Sequence, residues 1–456
     1  MASLTIDQLR EQVRGAIVVV GDETYDQARA VYNAMIDRRP RVVVRAVNAG
    51  DVIAAVRYAA DNNLDLAIRG GGHSVPGFGT CDDGVVIDLM RMRGVRVDPA
   101  VRTARAEGGA TWGDFNAATH AFGLATTGGI ISTTGVAGLT LGGGIGYLSR
   151  GCGLSIDNLV SADVVTADGR FLQASDRENE DLFWAIRGGG GNFGVLTSLE
   201  FALHPIKDIY GGPMFFELKD GPALLSFYSQ FIKEADERFG GFPAFQIAPP
   251  LPFIPEARHG EPFIAFVACW AGPLDEGEKA LQPIRDVAPR VAEGIGAMPY
   301  PALNSAFDGL VPPGLQHYWK ANFVKELTPE LIAAHMEHGP RVPVVNSTMH
   351  IYPINGACHR VAADATAFGH RDANFATVIA GMWPDPAQNA ANTRWVRDYS
   401  DATAPHSDAG GYVNFMAADD QGRVSDNYGA NYERLLATKR KYDPGNLFHV
   451  NQNIRP

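Results

Sequence analysis

Glycine, and where it sits, constrains this chain more than any other feature. Of 456 residues 51 are glycine, and they crowd into 70–79, 108–113, 128–153 and 188–194, all in the first half. Glycine reaches backbone conformations closed to other residues and lets the main chain approach a ligand closely. Separate glycine clusters without a fixed period are not a repeat array. They imply loops that converge on something large and flat-edged. The sharpest cluster, RGGGHS at 69–74, places an imidazole directly after three unhindered residues. A histidine there can be solvated, can titrate or can be a nucleophile, and its surroundings have to decide.

Those surroundings alternate strands with helices. PRVVVRAV (40–47) and LDLAIRG (64–70) are apolar, partly β-branched runs flanking AGDVIAAVRYAADNN (49–63), where Val52, Ile53, Val56 and Ala59 recur at helical spacing. GVVIDL (84–89) reads as a strand, VRVDPAVRTARAEGG as two strands around an Asp-Pro turn, and TWGDFNAATHAFGL (111–124) as a helix. SADVVTADGRFLQA (161–174) is a hairpin turning at Asp168-Gly169. DLFWAIRGGGGNFGVLTSLEFAL (181–203) runs helix, glycine loop, strand. From about 206 glycine thins while proline and aromatics rise, and strands such as EPFIAFVACW alternate with helices. The tail from 410 differs again, its helix stopping at Tyr-Asp-Pro-Gly. The expected organisation is α+β, with units at 1–205, 206–409 and 410–456.

Composition narrows the partners. The formal net charge of −12 disfavours nucleic acid, whose phosphates want basic patches. No apolar run is long enough to span a membrane. MASLTIDQLREQVRG lacks the apolar core of a secretory signal, so a cytoplasmic location is expected. Cys81, Cys152, Cys269 and Cys358 are scattered, without CxxC or metal-ligand spacing, and read as free thiols with no metal site.

Two nucleotide fingerprints fail on order. Gly189, Gly191 and Gly194 match G-x-G-x-x-G, but a helix precedes them and a strand follows, the reverse of a nicotinamide-binding turn. RGGGHS lacks the GKS or GKT of a P-loop, although consecutive glycine N–H groups can still cradle phosphate as a nest. Several glycine loops, one histidine and no metal ligands suggest a dinucleotide with a redox-active ring.

With these motifs in order, the chain resembles the vanillyl-alcohol-oxidase-type flavoproteins. The carriers are RGGGHS…GVVIDL, GLATTGGIISTTGVAGLTLGGGIGYLSRGCGLSIDNLVSADVVTADG and DLFWAIRGGGGNFGVLTSLEF. The tail YGANYERLLATKRKYDPGNLFHVNQNI is similar to the berberine-bridge segment, which narrows the resemblance to that branch. The resemblance implies a two-part FAD-binding domain, and a substrate domain with an antiparallel sheet covered by helices. It also implies FAD bonded covalently through His73, which raises the flavin's potential; about 30 mV is worth about 1.4 kcal/mol for two electrons. Gly70, Gly71, Gly72 and Ser74 would line the pyrophosphate, Gly135, Gly138, Gly142, Gly143 and Gly144 would lie beneath the ring system, and Arg69 and Thr134, the latter at the oxygen-gate position, would be further cofactor contacts. Gly194 and Val195 would meet the adenine end, and Tyr428, Asn431 and Asn451 would fold back near the isoalloxazine. Some relatives add a bond from a cysteine; the matching position here is Ile131, so a single bond is expected and Cys152 is read as a packed thiol.

The catalytic base is not carried by the resemblance. Phe415 and Ile145 stand where relatives have tyrosines, and ANFATVIAGMW (373–383) offers no carboxylate. Strand alternation in STMHIYPI (347–354) puts His350 and Tyr352 on one face, which makes them the candidates. Read as a strand, GYVNF puts Tyr412 and Asn414 opposite Phe415; Asn414 is a candidate hydrogen bonder, with Tyr428 beside it, and Lys320 a weaker candidate. The implied activity is an oxidase that takes a hydride from a small or mid-sized alcohol, amine or secondary metabolite and passes its electrons to O2. A dehydrogenase with another acceptor, or a flavin-binding protein without turnover, are the alternatives. The apolar Ile145 and Phe415 favour a hydrophobic substrate over a sugar, and the small Thr134 leaves O2 a path.

Overall fold

Strand β1 (Ala16–Val19), β2 (Val42–Arg45), β3 (Leu66–Arg69) and β4 (Val85–Asp88) form a mixed sheet in the order β1-β2-β4-β3. This is seen in a computed structural model that describes residues 4–408 and 410–456; Ala409, the expected last residue of the second unit, lies outside the described residues. β2 and β3 both pair in parallel with β4. Val42 to Val44 and Val85 to Ile87 are fully buried, as expected of parallel strands covered on both faces. Helix Ala49–Asp61 makes the crossover, and the Asn48 side chain caps it by accepting from the Asp51 N–H.

The next strands, β5 (Val95–Asp98), β6 (Thr103–Glu107), β7 (Leu159–Val165), β8 (Phe171–Ser175) and β9 (Val195–Ala202), form an antiparallel sheet ordered β5-β6-β9-β7-β8. Its core holds Trp112, Phe115 and Phe201 in edge-to-face contacts, under helices Trp112–His120 and Glu180–Ile186. Gly169 adopts φ +73 in the β7–β8 turn, which is why the hairpin can close there.

The third sheet is the one that meets the site. It comprises β10 (Asp208–Phe216), β11 (Phe242–Ile247), β12 (Pro262–Trp270), β13 (Arg290–Glu293), β14 (Gly296–Pro299), β15 (Gln316–Val324), β16 (Thr348–Pro353) and β17 (Phe375–Trp383), paired antiparallel throughout. Met214, Phe216, Ile264, Phe266, Met349 and Ile351 pack beneath helices such as Gly221–Glu234, Pro329–His338 and Asn389–Thr403. Their alternate neighbours face the other way, towards the glycine loops. Arg150 ties the two halves together. Its guanidinium, 2% exposed, donates to the carbonyls of Ile232, Ala235, Asp236 and Phe239 at and beyond the end of helix Gly221–Glu234, and to Asn355 Oδ1.

The tail returns to the first half. Helix Tyr432–Tyr442 buries Leu435 and Tyr442 in the core of the second sheet. Lys439 Nζ, fully buried, donates to Asp443 Oδ2 (2.7 Å), to the Asn192 carbonyl and to the Phe448 carbonyl. One ammonium thus fastens the loop at 190–194 to the last residues of the chain.

Candidate active site

A cavity of about 370 Å³ lies between the glycine loops and the inward face of the third sheet. Its first wall is the loop after β3. Arg69 closes that strand with its guanidinium turned into the protein, onto Asp88 Oδ2 at 2.8 Å and the carbonyls of Ala28 and Ala30. The loop from Gly70 through Gly71, Gly72, His73 and Ser74 then runs along the cavity. A Cβ on Gly71 would stand 2.3 Å from the Gly135 nitrogen, and one on Gly135 2.4 Å from the Gly71 nitrogen, so the two loops meet main chain to main chain. Thr134, Gly135 and Gly138 continue the wall. A Cβ on Gly138 would meet no protein atom within 4 Å; the space beside it belongs to whatever fills the cavity.

His73 is held rather than loose. The Tyr32 ring stacks on it with centroids 3.8 Å apart, and its Nε2 lies 3.0 Å from Thr133 Oγ1. Burial pushes the imidazole down to about 4, so it is neutral at physiological pH and available as a nucleophile. Neither Tyr32 nor Thr133 was legible as a site residue, because Tyr32 lies outside every motif and reaches His73 only through tertiary packing. His317 stands close by, with its ring 5.2 Å from that of Tyr32 and both ring nitrogens buried without partners.

The second wall comes from the sheet. Phe215, Phe242, Ala244, Val267, Thr348, His350, Tyr352, Val378 and Met382 all face the cavity, as period-two alternation requires. His350 Nδ1 lies 2.5 Å from the Tyr352 hydroxyl. Burial depresses the imidazole to about 3 and raises the phenol well above its usual range, so both are neutral. The expected pairing of these residues on one face is what the structure shows. Lys320 does not join them; its ammonium bonds Asp419 (2.9 Å) and Asp420 (2.7 Å), while its neighbour Trp319 lines the cavity.

The tail supplies the third wall. Val413–Phe415 is a tight helical turn and not the expected strand, so alternation fails there: Asn414 and Phe415 both line the cavity, while Tyr412 is buried behind them. Asn414 Nδ2 donates to the Leu139 carbonyl and to the Tyr412 hydroxyl, and that hydroxyl also accepts from the Gly144 N–H. Asn451 lines the cavity beside Gly191 and Gly194, donating to the Gly191 carbonyl, with its Oδ1 buried and unpartnered.

Six expected contacts do not reach this cavity. Gly142 lies under Asn414, where a Cβ would stand 2.3 Å from Oδ1; Gly143 packs on Phe368 and Tyr412, and Gly144 on Ser155. They shape the floor that holds Asn414 and are not cavity wall. Val195 points into the core of the first sheet. Tyr428 is 3% exposed in the core of the second sheet and does not line the cavity; its hydroxyl, without a partner, lies behind Gly190, 3.6 Å from where a Cβ on that glycine would stand. Asn431 is a tether, donating to the Ala363 carbonyl at 2.8 Å. Cys152 packs against the core between the halves, away from the cavity, whereas Ile131 lines it.

These walls fit FAD. Paired glycine loops leave backbone N–H groups free of side chains, Gly138 opens onto the space, and apolar Leu66, Ile68, Leu89 and Leu196 line it towards the first two sheets. Among the described residues no cluster of His, Cys, Asp and Glu could hold a metal, and no helix is long and apolar enough to cross a membrane.

Comparison with known proteins agrees. The sequence model of an FAD binding domain matches residues 40–175, and that of berberine and berberine-like proteins matches 411–455. An FAD-linked oxidoreductase of Dictyostelium discoideum is 30% identical over 459 residues, covering 100% of this chain and 98% of that protein. (R)-6-hydroxynicotine oxidase of Paenarthrobacter nicotinovorans is 30% identical over 466 residues, covering 97% of each. Among solved structures, 6-hydroxy-D-nicotine oxidase from Arthrobacter nicotinovorans superposes with a TM-score of 0.86 at 28% identity, covering 97% of this chain and 98% of that one. Berberine bridge enzyme from Eschscholzia californica gives 0.86 at 22% identity over 98% of each chain, a likeness of fold. Glycine-walled cavity, berberine-type tail and full-length relatives together show that the chain belongs to the berberine-bridge-enzyme-like family of FAD-linked oxidoreductases.

Proposed function

We propose that this protein is an oxidase that carries FAD covalently on His73 and oxidises a small or mid-sized organic molecule, an alcohol, amine or secondary metabolite, with O2 leaving as H2O2. When bound, FAD supplies the two-electron acceptor that no side chain can provide. The residues that would hold it are Gly70, Gly71, Gly72 and Ser74, the wall at Thr134, Gly135 and Gly138, and Gly194 with Asn451.

The observation that carries this reading is the neutral His73, stacked on Tyr32 and bonded at one nitrogen to Thr133, on the wall of the cavity shared with His350 and Tyr352. Nε2 is engaged by Thr133, so Nδ1 is the nitrogen left for bond formation. Proton traffic falls to the His350–Tyr352 pair. A proton leaving a substrate hydroxyl passes to the Tyr352 oxygen as Tyr352 gives its own to His350 Nδ1; burial keeps the imidazole neutral beforehand, and the tautomer protonated at Nε2 leaves Nδ1 to accept. Asn414, braced by Leu139 and Tyr412, offers its Oδ1 to orient what binds. Thr134 is small enough to leave O2 a path.

Acid precipitation of flavin-replete protein, followed by mass spectrometry of the His73 peptide, tests the bond; an unmodified peptide would remove it from the reading. An H2O2 assay against alcohols, amines and phenols, with anaerobic bleaching of the flavin, tests the chemistry. Bleaching without rapid reoxidation in air would mark a dehydrogenase, and no bleaching at all a flavin-binding protein without turnover.

A further inference from the structure

We propose that the substrate is an uncharged, mainly apolar alcohol that presents one hydroxyl to the His350–Tyr352 pair, and not an ammonium, a carboxylate or a polyol. The inference rests on the oxidase reading above and narrows it.

Charge comes first. No Asp, Glu or Lys lines the cavity among the described residues, and its one arginine, Arg69, is spent on Asp88 and two carbonyls. The neighbouring carboxylate, Asp308, sits between the cavity residues Phe307 and Leu310, but it accepts from the Ser132 N–H at 3.0 Å and the Ser132 hydroxyl at 2.5 Å. The two histidines on the walls are neutral. A charged substrate would lose its water and find no counter-charge, which is among the largest penalties a binding site can impose.

Hydrogen-bonding capacity disfavours polyols, because the free polar atoms of the wall are few and scattered. Side chains on the sheet side are tied to the protein: Gln246 donates to the Val345 carbonyl, Asn346 to that of Leu310 and Thr348 to that of Phe245, which leaves Gln246 and Asn346 one N–H and the amide oxygen each. Asn414 has spent its donors. Beyond those amide atoms, what remains among the described residues is the His350–Tyr352 pair, the Asn414 Oδ1, and the Trp319 indole N–H, Tyr32 hydroxyl and Asn451 Oδ1, the last three buried without partners. Around them stand Phe215, Phe242, Phe307 and Phe415. Such a wall, mostly apolar with a few scattered polar atoms, rewards rings or alkyl chains and one hydroxyl, and leaves most hydroxyls of a polyol without a bond. In the net reaction one alcohol and one O2 give one carbonyl compound and one H2O2. The carbinol C–H and O–H bonds break and the carbonyl bond forms; the alcohol loses two electrons and two protons, and O2 gains them.

The test is a binding series on flavin-loaded protein at pH 7, read by the perturbation of flavin absorbance. The probes are 2-naphthylmethanol, 2-naphthylmethylamine and 2-naphthoate, the corresponding 4-methoxybenzyl set, and cellobiose. An alcohol should bind at least about tenfold more tightly than its ammonium or carboxylate counterpart and than cellobiose. Equal or tighter binding of a charged member or of the sugar, or no response to either alcohol, overturns the proposal. Ala244 and Val378 flank His350 on the neighbouring strands. Ala244→Asp or Val378→Asp, whichever retains flavin, should shift preference to the ammonium probe; an unchanged preference counts against the argument. Tight alcohol binding without bleaching would sink the oxidase reading alone. Bleaching chiefly by the amine would sink the substrate class alone.

Discussion

Burial keeps several histidines of this protein neutral, and that has a consequence for stability. Desolvation holds His73 near 4 and His317, His335 and His350 near 3, all well below the ordinary value of 6.5. Each unfolded histidine binds a proton below about 6.5 while its folded counterpart does not, so stability is full above that pH and is lost as pH falls towards 3. Melting temperature followed from pH 8 to pH 4.5 should therefore begin to drop below about 6.5, and His335→Asn, which can still meet Tyr399, should flatten the drop. His350→Gln and Tyr352→Phe should each lower kcat about 10²- to 10⁴-fold with flavin content unchanged, measured by steady-state turnover. That both residues share a face was readable from two-residue alternation alone. At 412–415 the same rule fails, because Val413–Phe415 curls into a turn that tertiary contacts to Leu139 and Gly144 select.

Loops and the tail helix act as pieces of one cradle. Gly71 and Gly135 approach so closely that either Cβ would collide with backbone. Gly135→Ala should separate the loops and leave protein with at most a small fraction of the normal flavin content, read from the absorbance ratio of flavin to protein. The Lys439–Asp443 pair works from the other side, joining Asn192 to Phe448 within a segment whose Phe448, Val450 and Asn451 line the cavity. Lys439→Met leaves Asp443 buried without its cation and should cost about 3–5 kcal/mol, measured by chemical denaturation. The glycine clustering that makes these loops possible stands out in the amino-acid order. Which glycines face the ligand and which merely pack, as Gly142, Gly143 and Gly144 do, depends on side chains from distant segments.

Across the whole molecule, function depends on two halves holding one cavity between them, and Arg150 is a principal tie. Arg150→Met would strand the carbonyls of Ile232, Ala235, Asp236 and Phe239, at about 1–3 kcal/mol for each left unsatisfied; early release of helix Gly221–Glu234 in hydrogen exchange is the expected signature. Nothing near Arg150 in sequence announces this, since its partners lie 82–89 residues away, with Asn355 205 residues away. Local order decided a good deal by itself: strand and helix periods, the capped crossover helix, the glycine loops and the ordered motifs that mark an FAD-binding chain, all of which act over a few residues. Tertiary structure alone decided that Tyr32 stacks on His73, that Lys320 turns from the site while Trp319 enters it, and that no free charge lines the cavity among the described residues. Those outcomes depend on which surfaces meet when strands far apart in the chain pack together, and a one-dimensional pattern carries no record of that meeting.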